Sequence, residues 1–230
     1  MRIEGIRIKG ERIVDASILT NGLVLWLDAN NATSYPGTGT TVTDLSGNGN
    51  NHTLSSSGIY TDLSGVKCFN CTTTGVVTCN TTLTIPTNFT YISWARVLAS
   101  TASYRTLLRT SDAGHPIIIN TGTNLLGMWD NATATGFNSS GYNMSGYATV
   151  WAQWVTTGTA SGQTFYINGQ QVGNSVNKSD SGHTHFAWGN IHVAVNQPWG
   201  YVSNLFLYNG ILTPEQIQQN YYGLKGTFGV

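Results

Sequence analysis

Ten acidic residues are all that this chain of 230 offers for acid–base chemistry, and their spacing keeps them apart. Glu4, Glu11 and Asp15 sit near the start, while Asp28, Asp44, Asp62, Asp112, Asp130, Asp180 and Glu215 stand singly along the rest. Glycan hydrolysis needs two carboxyls facing a sugar across a cleft. None of these later acids has another at i+2 or i+4, although folding could still bring two together. Nor does any Ser, His and Asp arrangement surround a strained nucleophile turn. A non-catalytic role is expected.

Three clusters could hold a metal. Asp44-Leu45-Ser46-Gly47-Asn48-Gly49-Asn50 puts oxygen-bearing side chains at every second position around two glycines. Ca²⁺ takes six to eight oxygens on a flexible loop, so Asp44, Ser46, Asn48 and Asn50 are candidate ligands. A glycine-rich turn in which Asp44 and Asn48 cap backbone amides fits equally. Cys68 and Cys71, with Cys79 nearby, lack a fourth zinc ligand at finger-like spacing. They leave open a loop disulfide involving Cys79 or plain buried thiols. His183 and His185 share one face of an extended segment; they read as ordinary polar histidines or as a metal pair repeated around a threefold axis.

Sugar recognition is the sharper prospect. Such sites set an aromatic face against the apolar side of a pyranose and use Asn, Asp and backbone groups for its hydroxyls. Trp129-Asp130-Asn131, the pair Asn196 and Trp199, and Tyr142-Asn143 combine those types in polar, glycine-containing stretches. Trp26, Trp94, Trp151 and Trp154 are expected in the core.

Composition narrows the partners. Ten basic and ten acidic residues make up 9% of the chain and cancel to zero net charge. Nucleic acid and anionic membrane both require a basic face, so neither is expected as the main partner. No apolar run approaches the length of a membrane helix, and the N-terminus carries no secretory signal. Solubility rests on Asn, Thr, Ser and Gly, a surface common on extracellular and virion proteins. Nine sequons, at Asn31, Asn51, Asn70, Asn80, Asn88, Asn131, Asn138, Asn143 and Asn177, are candidate glycosylation sites.

The elements that must position these residues are short strands. Leu23-Val24-Leu25-Trp26-Leu27 is an apolar run covered on both faces, placed near Val202–Tyr208. Strand patterns follow within Gly58–Cys68 and Gly75–Leu83. Others cover Phe89–Leu98, Tyr104–Arg109, Pro116–Asn120, Leu125–Asp130, Val150–Thr156, Gln163–Asn168, Phe186–Trp188, Ile191–Val195 and Val202–Tyr208. Glycine-rich turns between them indicate a sandwich or jelly roll. Thr213-Pro-Glu-Gln-Ile-Gln-Gln-Asn220 alone reads as helix, with Thr213 as N-cap, Pro214 first and Gln216 closing a capping box. Residues 1–20 read as an extended arm and 21–230 as one domain. The arm is either an edge strand or a segment docking on a neighbouring subunit.

Four stretches resemble one family in register. GLVLWLDANN with TDLSGNGNNHTL, FTYISWARV, WAQWVTTGTASGQTFYINGQQVG and GYVSNLFLYNGILTPEQIQQNYYG are similar to laminin G-type domains of the concanavalin A-like lectin/glucanase superfamily. The resemblance implies an all-β, two-sheet antiparallel jelly-roll sandwich with one short C-terminal helix. The glucanase branch carries paired carboxylates on one strand, which this chain lacks. Many relatives bind calcium. Similar domains occur in capsids and tail fibres of large DNA viruses and phages. That implies a virion-surface or extracellular protein recognising a glycan or serving attachment, assembled as a homo-oligomer with other capsid or fibre subunits through the arm. The alternative is a glycan-processing enzyme or its carbohydrate-binding accessory domain.

Overall fold

A computed structural model of the chain describes residues 18–131, 133, 135–191 and 196–230. Most of the expected arm, residues 1–17, and most of the expected strand Ile191–Val195 lie outside the described residues.

The sandwich is built outward from its most apolar segments. In β7 (Phe89–Val97) every residue except Arg96 is buried, because alternation sends Tyr91, Ala95 and Val97 into the sandwich and Ile92 and Trp94 to the other face. Beside it runs β16 (Gly200–Asn209), antiparallel, with Leu205 opposite Ser93. The other edge of β16 is shared by β1 (Leu23–Asp28), paired along residues 204–208, and β5 (Val66–Cys71), paired along 200–202. From β7 the sheet continues through β12 (Trp151–Thr159) and β13 (Gly162–Ile167) to the edge strand β14 (Gln170–Val176), and from β5 to β4 (Tyr60–Leu63). The β13–β14 hairpin turns on Asn168 and Gly169, both at positive φ (50° and 79°), the conformation that Asn-Gly supplies most readily.

The second sheet, also antiparallel, has the order β11 (Gly136–Asn143), β10 (Leu125–Asp130), β9 (His115–Ile119), β8 (Arg105–Thr110), β15 (Thr184–Trp188), β6 (Val77–Thr84), β3 (His52–Leu54) and β2 (Thr41–Val42). The two inner faces meet in one core that includes Leu25, Leu27, Phe69, Leu108, Met128, Trp154, Phe165, Trp188 and Leu207. This is the expected all-β jelly-roll sandwich, with β1 beside the closing strand as its apolar run predicts.

The outer face of the first sheet is covered too. The helix α1 (Pro214–Leu224) opens with a complete capping box: the Gln216 amide donates to the Thr213 hydroxyl (3.3 Å), and the Thr213 amide donates to Gln216 Oε1 (2.9 Å). Its Ile217 joins Ile92, Val155, Phe206 and Tyr208. Trp94 stacks on Phe228 with ring centres 4.3 Å apart. Ile18 and Leu19 pack against the same layer, and the Tyr208 hydroxyl donates to the Leu19 carbonyl at 2.9 Å. Trp94 and Trp154 are thus buried as expected, on opposite faces of the first sheet, while Trp26 and Trp151 are half-buried. Four strands went unforeseen: the short β2 and β3 inside the polar loop after β1, and the edge strands β11 and β14. No helix among the described residues is long and apolar enough to cross a membrane.

Candidate functional site

Trp129 stands on the outer face of the second sheet. Its neighbour Met128 points into the core, so alternation along β10 turns the indole outward, where it is half-buried. Phe137 is its register partner on β11. Tyr104, just before β8, meets both rings, at 5.4 Å from Trp129 and 6.0 Å from Phe137. Gly127 makes room for this patch, since a Cβ there would lie 2.2 Å from the Asn138 carbonyl and 3.0 Å from the Phe137 ring. The result is a half-exposed aromatic surface over a glycine floor, a shape that suits the apolar face of a sugar ring.

Polar groups border it. Asn120 donates to the Tyr104 hydroxyl at 3.2 Å. His115 is the register partner of Trp129 on β9. Arg109, on β8, lies over the Phe186 ring at 5.3 Å. The Thr106 hydroxyl donates to Gln197 Oε1 (2.6 Å), and the Ser103 hydroxyl donates to the Asn196 carbonyl (2.6 Å), so residues 196–197 cross this face beside the aromatic patch. Neither Arg109 nor His115 is singled out by the sequence, which shows them only as isolated polar residues in strand patterns. Gly127 inside a strand is the one local signal of a close approach.

The other sugar candidates divide. Asp130 and Asn131 are held in the loop after β10. Asp130 accepts from the Thr133 amide (3.0 Å), the Thr133 and Thr135 hydroxyls, and pairs with Lys178 at 3.3 Å. Burial opposes ionisation there, but the two threonines and Lys178 outweigh it and pull the carboxyl down to about 2. Asn131 Nδ2 donates to the Asp112 carbonyl at 2.7 Å. Asn143, opposite Leu125, lies four residues along the strand pair from Trp129, about 13 Å away, and Tyr142 packs on the core. The Asn196 side chain accepts from Asn190 Nδ2 at 2.7 Å. Trp199 is corrected outright: it is fully buried, edge-on to Trp154 with ring centres 4.9 Å apart, and belongs to the core.

The Asp44 loop is a capped turn. Asp44 Oδ1 accepts from the Trp26 and Ser46 amides, and Oδ2 from the Asn50 amide, each at 2.9 Å, with the Ser46 hydroxyl at 2.8 Å. Asn48 and Asn50 donate to the Leu23 and Val24 carbonyls. The four candidate calcium ligands thereby tie the loop to β1, and no cluster of three or more His, Cys, Asp or Glu suited to a metal occurs among the described residues.

Of the readings left open for the cysteines, the structure carries the one without a bridge. Cys68, Cys71 and Cys79 are all free. Three residues apart on β5, Cys68 and Cys71 point to opposite faces, and Cys79 lies on β6 in the other sheet. Burial pushes the Cys68 thiol up to about 12 and Cys71 higher still. The imidazoles of His183 and His185 do not converge: His183 Nδ1 contacts Asp112 (2.5 Å) and Asp180 (3.8 Å), whereas His185 turns inward to His52. Folding has therefore gathered two distant acids around one histidine. Asp180 is enclosed, and burial followed by the nearby Asp112 and Asp130 charges raises its pKa well above the usual range. Among the sequons, Asn80, Asn88 and Asn177 are exposed, with no bond donated by their side chains among the described residues, whereas the Asn131, Asn138 and Asn143 side chains donate to carbonyls. Asn31, Asn51 and Asn70 are half-buried.

Comparison with curated protein sequences finds no match. Among solved structures, the fold is similar to Trypanosoma rangeli sialidase in complex with sialic acid, at 15% identity and a TM-score of 0.67, covering 98% of this chain and 36% of that one. It is also similar to the ligand-binding domain of botulinum neurotoxin serotype D in complex with N-acetylneuraminic acid, at 15% identity and a TM-score of 0.64, covering 89% of this chain and 51% of that one. The chain thus spans about a third of the sialidase's length and about half of the toxin domain's. Identity this low carries the fold alone. A laminin G-type family model matches residues 70–218, which include β7, β12, β13, the Asn168-Gly169 turn, β16 and the start of α1. On that match, the chain belongs to the concanavalin A-like lectin/glucanases superfamily.

Proposed function

We propose that this domain is a non-catalytic glycan-recognition module whose ligand rests on Trp129, Phe137 and Tyr104. The observation that carries the reading is that aromatic surface, half-exposed on a sheet face where every neighbouring core aromatic is enclosed. Two structurally similar proteins are described in complex with sialic acids, which supports a glycan as the ligand class. A virion surface is the proposed setting, with the domain serving attachment as part of a capsid or fibre assembly. The neutral, Asn- and Thr-rich surface supports it.

A glycan array probed with the purified chain, with and without calcium, tests the reading. Binding to a defined set of sugars that Trp129→Ala abolishes supports it; no binding to any sugar sinks it. One observation favours an accessory role beside an enzyme: the chain aligns with about a third of a sialidase. Turnover of a glycan by the chain itself would replace the binding reading with an enzymatic one, for which the differing environments of Asp112 and Asp180 would be the starting point.

A further inference from the structure

Arg109 is 7% exposed, yet among the described residues no carboxylate lies within ion-pair distance of it. Its Nε is buried with no hydrogen-bond partner. The terminal guanidinium nitrogens likewise have none among the described residues; what the group has is the Phe186 ring beneath it. A desolvated cation without an anion is unfavourable, and desolvation already lowers the Arg109 pKa, an effect that Asp112 only partly offsets. Asp112 cannot turn to it freely, because Oδ1 accepts from Thr110 and Oδ2 holds His183.

The position of this cation matters more than its burial. Leu108 pairs with Ile117 and Trp129 with His115, so Arg109, one residue out of register with His115, lies close to the row that His115 and Trp129 make across adjacent strands. Two strand spacings put Arg109 about 10 Å from Trp129, roughly the span of a pyranose with one substituent. His115 is 5% exposed, and its Nδ1 is also buried and unpartnered. Burial first, and then the Arg109 charge, bring His115 down to about 3, which leaves it a neutral ring between Arg109 and Trp129.

We infer that Arg109 is the anion-binding group of the glycan site, and that the ligand is an acidic sugar seated with its ring on Trp129 and its anionic group against the guanidinium. This rests on the glycan reading above. Arginine presents paired N–H donors in a planar fork that matches carboxylate and sulfate oxygens, and the Phe186 ring lies beneath that fork. Uronic, sialic and sulfated sugars share the required chemistry.

The test uses the full chain and a matched set of oligosaccharides: a uronic-acid or sialic-acid terminated sugar, its carboxyl methyl ester, the neutral parent and a sulfated counterpart. Binding is measured by surface resonance or calorimetry at low and high salt. The acid form is expected to bind roughly tenfold or more tighter than its methyl ester, the ratio for one charge-assisted hydrogen bond. Arg109→Gln should reduce acid-form affinity to that of the ester. The ester comparison needs no variant, so it remains decisive if Arg109→Gln fails to fold. Equal affinity for acid, ester and neutral parent overturns the assignment of Arg109 while the glycan reading stands. Preference for the sulfated sugar over the carboxylated one upholds the anion site and identifies sulfate as its source. No binding to any member removes the glycan reading itself.

Discussion

His52 and His185 meet in the interior with their Nε2 atoms 3.1 Å apart, one from each side of β6. His52 Nδ1 lies 2.9 Å from the Asn50 carbonyl, which can only accept. A neutral His52 therefore donates from Nδ1 and accepts at Nε2, so His185 must donate from Nε2. That leaves His185 Nδ1 a bare lone pair, and it is indeed buried without a partner. The two neutral rings thus carry two placed protons, and a third could sit only on the unpartnered His185 Nδ1.

Acid should therefore weaken the fold. Burial holds His52 down to about 4 and lowers His185 well below its usual range, whereas both would titrate near 6.5 once unfolded. Between those values the unfolded chain binds more protons, so stability is full above about pH 6.5 and falls as the pH drops towards 4. His52 alone gives roughly 3 kcal/mol over that window. Asp180, whose pKa is raised, acts in the opposite direction and trims the loss. Urea unfolding at pH 7, 6 and 5 should show a falling midpoint; a flat profile would mean that the pair is hydrated rather than dry.

Two tryptophans with similar neighbours should behave in opposite ways. Trp199→Ala empties a fully buried site beside Trp154 and should cost about 3–5 kcal/mol. Trp129→Ala should cost about 1 kcal/mol in stability while removing glycan binding. Thermal unfolding and array binding of both variants separate structural from recognition roles.

Asp44→Ala should destabilise by roughly 2–3 kcal/mol, since three backbone amides and a hydroxyl lose their acceptor at once. Because those oxygens are already engaged, calcium and a chelator should leave the wild-type melting temperature in the same place. A rise of several degrees with calcium would show that the turn opens to take the ion.

Thiol accessibility follows the sheet faces. Cys68 and Cys71 are fully buried, with burial raising both pKa values, while Cys79 is half-exposed on β6. A disulfide reagent should titrate one thiol quickly in the native protein and three in denaturant. Fewer than three in denaturant would reveal a bridge.

The elements most legible in the amino-acid order are those whose own residues decide their structure. Leu23–Leu27 and Phe89–Val97 are apolar enough to be strands in any context, and Thr213, Pro214 and Gln216 write out a helix start that the geometry repeats bond for bond. β11 and β14 are different. GFNSSGYN and QQVGNSV hold few apolar residues and form the edge strands of the two sheets, one against the other, each strand-paired on one side. They read locally as loop, and the ladder offered by β10 or β13 makes them strands. The site behaves the same way. Trp129 and Trp199 both stand among Asn, Asp, Gly and Pro, and only the packing of Trp154 shows which one is enclosed. Arg109 and His115 are six residues apart with nothing periodic to link them; the β8–β9 hairpin and the neighbouring β10 bring them near Trp129.

The central strand β16 also sets an order of events. β1, β5 and β7 all depend on it for a backbone partner, yet it lies some 180 residues after β1 in the chain. During synthesis those earlier segments must wait with unpaired edges until residues 200–209 emerge. Contacts this far apart in sequence make folding slow, and the waiting edges are open to pairing with other chains. Yield in a cell should thus depend on how promptly the segment from Gly200 onward is delivered, more than on the final stability of the sandwich.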